Sequence, residues 1–294
     1  MKIKITYILL TFTLFGMSSC LRDEILPCPP LQVDITVKDK NYFNVDKVEQ
    51  EERLSDDLAF RTYVPTLYYM LRNAETGELV EEQGVFEVTS DEKTFPVTFC
   101  DCIPHGKYVL TVWGGLDDET PLGDDPLTAI LHAEKEQGAD FYLTNDTLVY
   151  DAYTYNHTVE LERTKGKLII QVENLPADVK YSDKTVNGLF QQVNNEFKYA
   201  DLTAVYTQAE WEEQTDVVTK TILAPSQKEK GSVVNVHFYD KVDRVTPTLI
   251  PKAVSVTMKR NELTVLRYVY DGSGFTIYIL INDNWEMLHG MVID

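Results

Sequence analysis

The residue types that catalysis needs are all present in this 294-residue chain, but nowhere in the spacing of an active site. Five histidines, His105, His132, His157, His237 and His289, stand singly. None makes the two-histidine helical pair of a zinc protease, and there is no glycine-rich phosphate loop or strained serine turn. A triad assembled from distant strands would leave no local trace. The histidines are read as surface or loop residues, and the expectation is a protein that is not an enzyme, with no catalytic residue and no cofactor.

Carboxylates are more crowded. Asp117-Asp118-Glu119 and Asp124-Asp125 bracket Pro121 and Gly123. Oxygen-rich loops suit calcium, but this spacing is not that of an EF-hand, and acidic runs are usually solvated. No metal is expected; Asp117, Asp118, Asp124 and Asp125 are the candidates if one binds. Glu49, Glu51, Glu52, Asp56 and Asp57 form a second stretch that reads as solvated surface. Trp113, Trp211 and Trp285 offer aromatic faces on which a glycan stacks, although Trp113 ends an alternating strand and reads as core. A surface glycan-binding lipoprotein is therefore the alternative reading of function.

The strongest chemical signal is at the start. Lys2 and Lys4 precede an apolar run from Ile5 to Met17 that closes on Ser18, Ser19 and Cys20. At 1.5 Å per residue that run is too short for a bilayer core of about 30 Å, and small residues before a cysteine suit a lipoprotein signal peptidase. Residues 1–19 are read as a lipoprotein signal peptide, Cys20 as the lipidated residue, and residues 20–30 as a lipid-anchored linker. No later segment has the roughly 20 apolar residues of a membrane-spanning helix.

Lys2 and Lys4 are the only charges lost with the signal, so 25 of 27 basic side chains remain against 47 acidic ones. A nucleic-acid backbone would be repelled, and nucleic acid is excluded as a partner. The same charge keeps the body off an anionic lipid surface. With Cys20 lipidated, Cys28, Cys100 and Cys102 remain in a disulfide-permissive compartment. Cys100 and Cys102 are two residues apart on one strand face, a strained geometry for a mutual bridge. The expected pair is Cys28 with Cys100 or Cys102; three reduced thiols is the alternative.

The elements that position these residues are strands. Val33, Ile35 and Val37 alternate with polar residues, as do Phe95, Val97 and Phe99. Tyr68–Leu71 and Leu79-Val80 flank Asn73–Gly77, whose glycine suits a hairpin turn. Further strands are expected at Tyr108–Trp113, Tyr142-Leu143, Leu148–Tyr150, Thr158–Leu161, Lys167–Val172, Leu202–Tyr206, Val217–Leu223, Val233–Tyr239, Ala253–Met258, Leu263–Tyr270 and Phe275–Ile281. Thr207-Gln208-Ala209-Glu210 has capping-box spacing and predicts one short helix. Short strands with turn signals in both halves predict two β-sandwiches, residues 31–163 and 164–294, joined near Arg163–Gly166.

The chain resembles the FimB-like fimbrial anchor lipoproteins of Bacteroidetes-type bacteria, the fimbrillin-associated group. The matching residues are Cys20 followed by Cys28-Pro29-Pro30, then Tyr68-Tyr69-Met70-Leu71-Arg72-Asn73 before a glycine turn, His105-Gly106-Lys107-Tyr108 leading to Trp113-Gly114-Gly115, and Val159–Arg163 leading into Lys167–Ile170. The resemblance covers the signal and first half best. It implies an all-β fold of two tandem transthyretin-like or immunoglobulin-like β-sandwich domains. The implied role is the base of type V fimbriae, a surface-exposed lipoprotein of the cell outer membrane whose partners are fimbrial stalk subunits. Asp23 and Glu24, in Leu21-Arg22-Asp23-Glu24, resemble the acidic tag that sends such lipoproteins to the outer face, and Asp146-Thr147-Leu148 is similar to an O-glycosylation motif of these bacteria.

The last ten residues alternate as well. Trp285, Met287, Met291 and Ile293 share one parity and one strand face, which makes the terminal strand a candidate donor to a neighbouring subunit's open sheet. Pairing within its own sheet is the alternative.

Overall fold

The computed structural model describes residues 29–99, 103–123 and 126–289. Before the Arg163 joint the strands are β1 (Gln32–Val37), β2 (Thr66–Asn73), β3 (Leu79–Glu87), β4 (Phe95–Thr98), β5 (Gly106–Gly114), β6 (Thr128–Ile130), β7 (Tyr142–Tyr150) and β8 (Asn156–Arg163). After it come β9 (Gly166–Glu173), β10 (Tyr181–Asn194), β11 (Tyr199–Glu210), β12 (Val217–Leu223), β13 (Ser232–Tyr239), β14 (Val254–Val256), β15 (Leu263–Tyr270), β16 (Phe275–Ile281) and β17 (Asn284–His289). The fold is an all-β sandwich fold. Helix among the described residues amounts to α1 (Phe60–Tyr63) and two 3₁₀ turns.

Seven strands form the first sheet, in the order β3-β2-β5-β7-β8-β1-β4. β8 meets β7 only at Arg163 and Glu162, then runs parallel to β1 over six rungs, so the sheet bends back at β8 and encloses a core. Val33, Ile35 and Val37 from one wing meet Leu71, Tyr108, Leu110 and Val112 from the other. Alternation fixes which side chains point in: β1 shows a strict exposed-buried pattern over its first four residues.

β5 departs from that alternation because both its faces are covered. Tyr108, Leu110 and Val112 face the first core, while Trp113 belongs to a second core with Tyr68, Met70, Phe141 and Leu143 and with Leu168, Ile170, Val186 and Tyr268 from beyond the joint. Two five-stranded sheets, β11-β10-β13-β14 with β6 alongside β10, and β12-β9-β15-β16-β17, supply that second core. Among the described strands only β1 with β8 and β9 with β15 pair in parallel.

The joint is buried, unlike a loose linker. Arg163, Thr164 and Lys165 are almost fully inaccessible. Arg163 donates to Asn261 Oδ1 (2.9 Å) and to the Tyr142 hydroxyl, pairs with Asp140 (2.8 Å), and lies over the Tyr42 ring at 4.0 Å. Lys165 Nζ donates to the carbonyls of Gln137 (3.0 Å) and Ala139 (2.8 Å), and burial pushes its amine down to about 7. A strap then crosses the outer face of the β9–β15 sheet: Tyr42, Val45 and Val48 pack on Ile169, Leu263 and Val265. Asn44 exchanges two 2.8 Å hydrogen bonds with the Leu263 backbone.

Two expectations are corrected. Thr207–Glu210 is the end of β11, paired rung by rung with Tyr181–Lys184; the ladder satisfies the backbone that a capping box would have served, and Gln208 turns to Asp183. Glu51, in the stretch read as solvated, is held in the strap by Lys167 and by Lys220 (2.8 Å). Burial alone would raise its carboxyl, but those hydrogen bonds outweigh it and hold it below the usual carboxylate range.

Candidate docking edge

A sheet edge exposes unpaired N–H and C=O groups and pairs with another chain unless it is blunted. Most edges here are blunted by their own sequence. β4 is four residues long and contains Pro96, which has no N–H to give. β3 carries Glu81, Glu82 and Glu87, and its pairing with β2 slips register twice. β12 presents Lys220, held by Glu51. β14 has three residues, and β11 interleaves Asp201, Thr203, Thr207, Gln208 and Glu210 with its exposed Leu202 and Tyr206, so that charged and polar groups break up its apolar surface.

β17 is different. It ends its sheet, pairs antiparallel with β16 from Ile281↔Asn284 to Ile277↔His289, and buries none of its six side chains. Asn282 and Asp283 make the connecting turn with φ of 48° and 68°, values these two residue types tolerate. No proline or lysine interrupts the strand, its pairing with β16 shifts register only near its far end, between Ile277 and Tyr278, and Trp285, Met287 and Leu288 stand exposed beside its outer edge. Trp285 and Met287 share a face, as the alternation predicts; Met291 and Ile293 lie outside the described residues. The indole of Trp285 has the Arg267 guanidinium 5.8 Å from its ring centre.

The other sequence candidates do not converge. Trp113 and Trp211 are buried, donating to the carbonyls of Pro126 (2.7 Å) and Val179 (2.9 Å), so the three tryptophans form no common platform. His132 lies in a loop, as one of the two readings of the histidines has it, but not at the surface. It is buried, donates from Nδ1 to the Glu136 carbonyl (2.8 Å) and accepts at Nε2 from the Ala224 N–H (2.9 Å). Both nitrogens are committed to a neutral ring, and burial with Lys165 nearby pushes it down to about 3. Asp118 accepts from the Thr120 hydroxyl and from the Thr120 N–H (2.8 Å), which together hold its carboxyl low, and Glu119 accepts from Val85 (3.1 Å). Asp124 and Asp125 lie outside the described residues, and no group of three or more potential metal ligands occurs among the described ones. Cys20, Asp23, Glu24, Cys28, Cys100 and Cys102 also lie outside them. No described helix is long and apolar enough to cross a membrane.

Sequence reasoning missed β10, the longest strand, and with it the floor of one sheet. Its alternation (Ser182, Lys184, Val186 inward) breaks at Gly188, where φ is 77° and the register with β11 shifts. That glycine was the available signal.

No family model and no curated protein matches the chain. Solved structures do share its fold. An adhesin candidate of Bacteroides thetaiotaomicron superposes with a TM-score of 0.59 at 15% identity, over 90% of this chain and all of its own. The fimbrial anchor protein Mfa2 of Porphyromonas gingivalis gives 0.52 at 15% identity, over 89% of this chain and 100% of its own. A candidate polysaccharide-binding protein of Bacteroides thetaiotaomicron gives 0.57 at 12%, over 89% and 98%. What these likenesses share with the chain is the all-β sandwich fold.

Proposed function

We propose that this chain is the membrane-attached base subunit of a cell-surface fimbria, lipidated at Cys20 and directed to the outer face of the outer membrane by Asp23 and Glu24. Residues 31–163 and 164–294 are its two sandwich domains, and a stalk subunit docks on the second. The observation that carries the reading is the open β17 edge, free of proline and lysine and with Trp285, Met287 and Leu288 exposed beside it. A partner strand added there gains backbone hydrogen bonds along its length and specificity from alternate side chains. The fold shared with a fimbrial anchor protein supports the same reading.

The cysteine pair is proposed as Cys28 with Cys100 or Cys102: Phe99 N–H donates to the Leu31 carbonyl (2.9 Å), which brings the chain just after Cys28 beside the chain just before Cys100 and Cys102.

Deletion of residues 285–294 tests the docking role. Cells should shed fimbriae into the medium while the truncated protein stays in the envelope. Fimbriae that remain attached overturn it. Fatty-acid labelling of wild type and Cys20→Ala tests the anchor separately.

A further inference from the structure

A groove of about 340 Å³ opens on the face of β17 that carries Trp285, between the strap and the sheet of β9, β15 and β16. Parity places its floor: Gln171 and Glu173 on β9, Arg267 on β15 and Leu280 on β16 share the face that Trp285 occupies. The strap contributes Lys47, Glu49 and Gln50. Arg267 is locked by Glu173 through two hydrogen bonds, Nε to Oε1 at 2.6 Å and Nη2 to Oε2 at 2.8 Å. Lys47 is taken by Asp283 (3.4 Å).

These pairings decide what the groove can bind. Both cations are neutralised by carboxylates already present, so an anionic ligand finds no free counter-charge among the described residues. Hydrogen-bonding capacity does remain, because the side chains of Glu49, Gln50 and Gln171 have no hydrogen-bond partner among the described residues. One exposed aromatic face and three planar acceptor and donor groups around a concave site suit a ring with C–H bonds on one side and hydroxyls at its rim.

We propose that the Trp285 groove is a binding site for a neutral hexopyranoside, the sugar's C–H face stacking on the indole and its hydroxyls bonding to Gln50, Gln171 and Glu49. The site uses the face of β17, whereas strand docking uses its edge, so the proposal does not depend on the fimbrial reading and shares only Trp285 with it.

Tryptophan fluorescence tests it, because Trp113 and Trp211 are buried and Trp285 is the indole that a sugar can reach. The purified mature protein, in a detergent without a sugar headgroup, is titrated with the methyl pyranosides of glucose, galactose and mannose, and with glucuronate as the anionic probe. A saturable change with at least one neutral glycoside is expected in the millimolar range for so small a ligand. Gln171→Ala, which keeps the reporter, should bind about tenfold more weakly with an unchanged melting temperature. Saturation-transfer NMR should find no contact in Trp285→Ala. The proposal is overturned if no neutral glycoside saturates, if only glucuronate does, or if Gln171→Ala binds like wild type. Because Gln171 is remote from the β17 edge, fimbriae should stay attached in Gln171→Ala whatever the sugar result.

Discussion

β4 and β17 both close a sheet, yet one is built into the protein and the other is laid upon it. In β4 the inward side chain Val97 is almost completely buried and Pro96 removes the outward donor. In β17 nothing is buried and nothing is removed. The difference teaches where a partner can be received without cost to the fold: an edge whose side chains already fill a core cannot also rearrange around a visitor.

The largest effect separating the two comes from placing a charge on each. Val97→Asp should cost about 3 kcal/mol or more, since the carboxylate has no buried partner, and urea unfolding should show it. Met287→Asp, at 60% exposure, should leave stability within about 0.5 kcal/mol while weakening fimbrial retention. Equal stability losses would dissolve the comparison. The tryptophans sharpen it in the same way: Trp113→Ala should cost about 3 to 5 kcal/mol, Trp285→Ala a small fraction of that.

An effect of comparable size, spread over more than three pH units, is expected from pH. The His132 ring is neutral in the folded protein down to about pH 3, whereas in the unfolded chain it takes a proton near 6.5. Between those values the unfolded state binds more protons, so His132 makes stability fall as pH drops from 6.5 toward 3, by at most about 1.4 kcal/mol per unit. Melting curves of wild type and His132→Gln should converge across that window. Smallest of all, Pro96→Val restores an N–H to the β4 edge and should raise self-association detectable by sedimentation, while Met287→Lys should not.

The strands were legible wherever one face is wet. β1, β16 and the Asn73–Gly77 turn follow directly from alternation and a glycine with φ of 73°. Where both faces are covered, as at Tyr108–Trp113, the apolar run still marks a strand but hides which core each residue serves. β10 was lost because its bulge inverts the parity midway. The Trp285 groove was not legible either, because its floor comes from three strands and its wall from a strap more than 120 residues earlier. The charges at Arg163 and Lys165 marked where the two halves join but gave no sign that these residues are almost fully buried there.

The two parallel strand pairs have a mechanical consequence. A parallel pair pulled by the N-terminal end of one strand and the C-terminal end of the other is stretched from opposite ends, so its rungs are sheared together instead of unzipping in turn. β1 and β8 meet that condition over six rungs, and β9 and β15 over seven. Between them stands only the buried run Thr164-Lys165, continuous with both β8 and β9. Tension entering at the N-terminal end and leaving through the C-terminal hairpin therefore passes through two shear-loaded clamps in series, a geometry in which forced unfolding is governed by a high barrier for each pair rather than by the stability of the weakest rung.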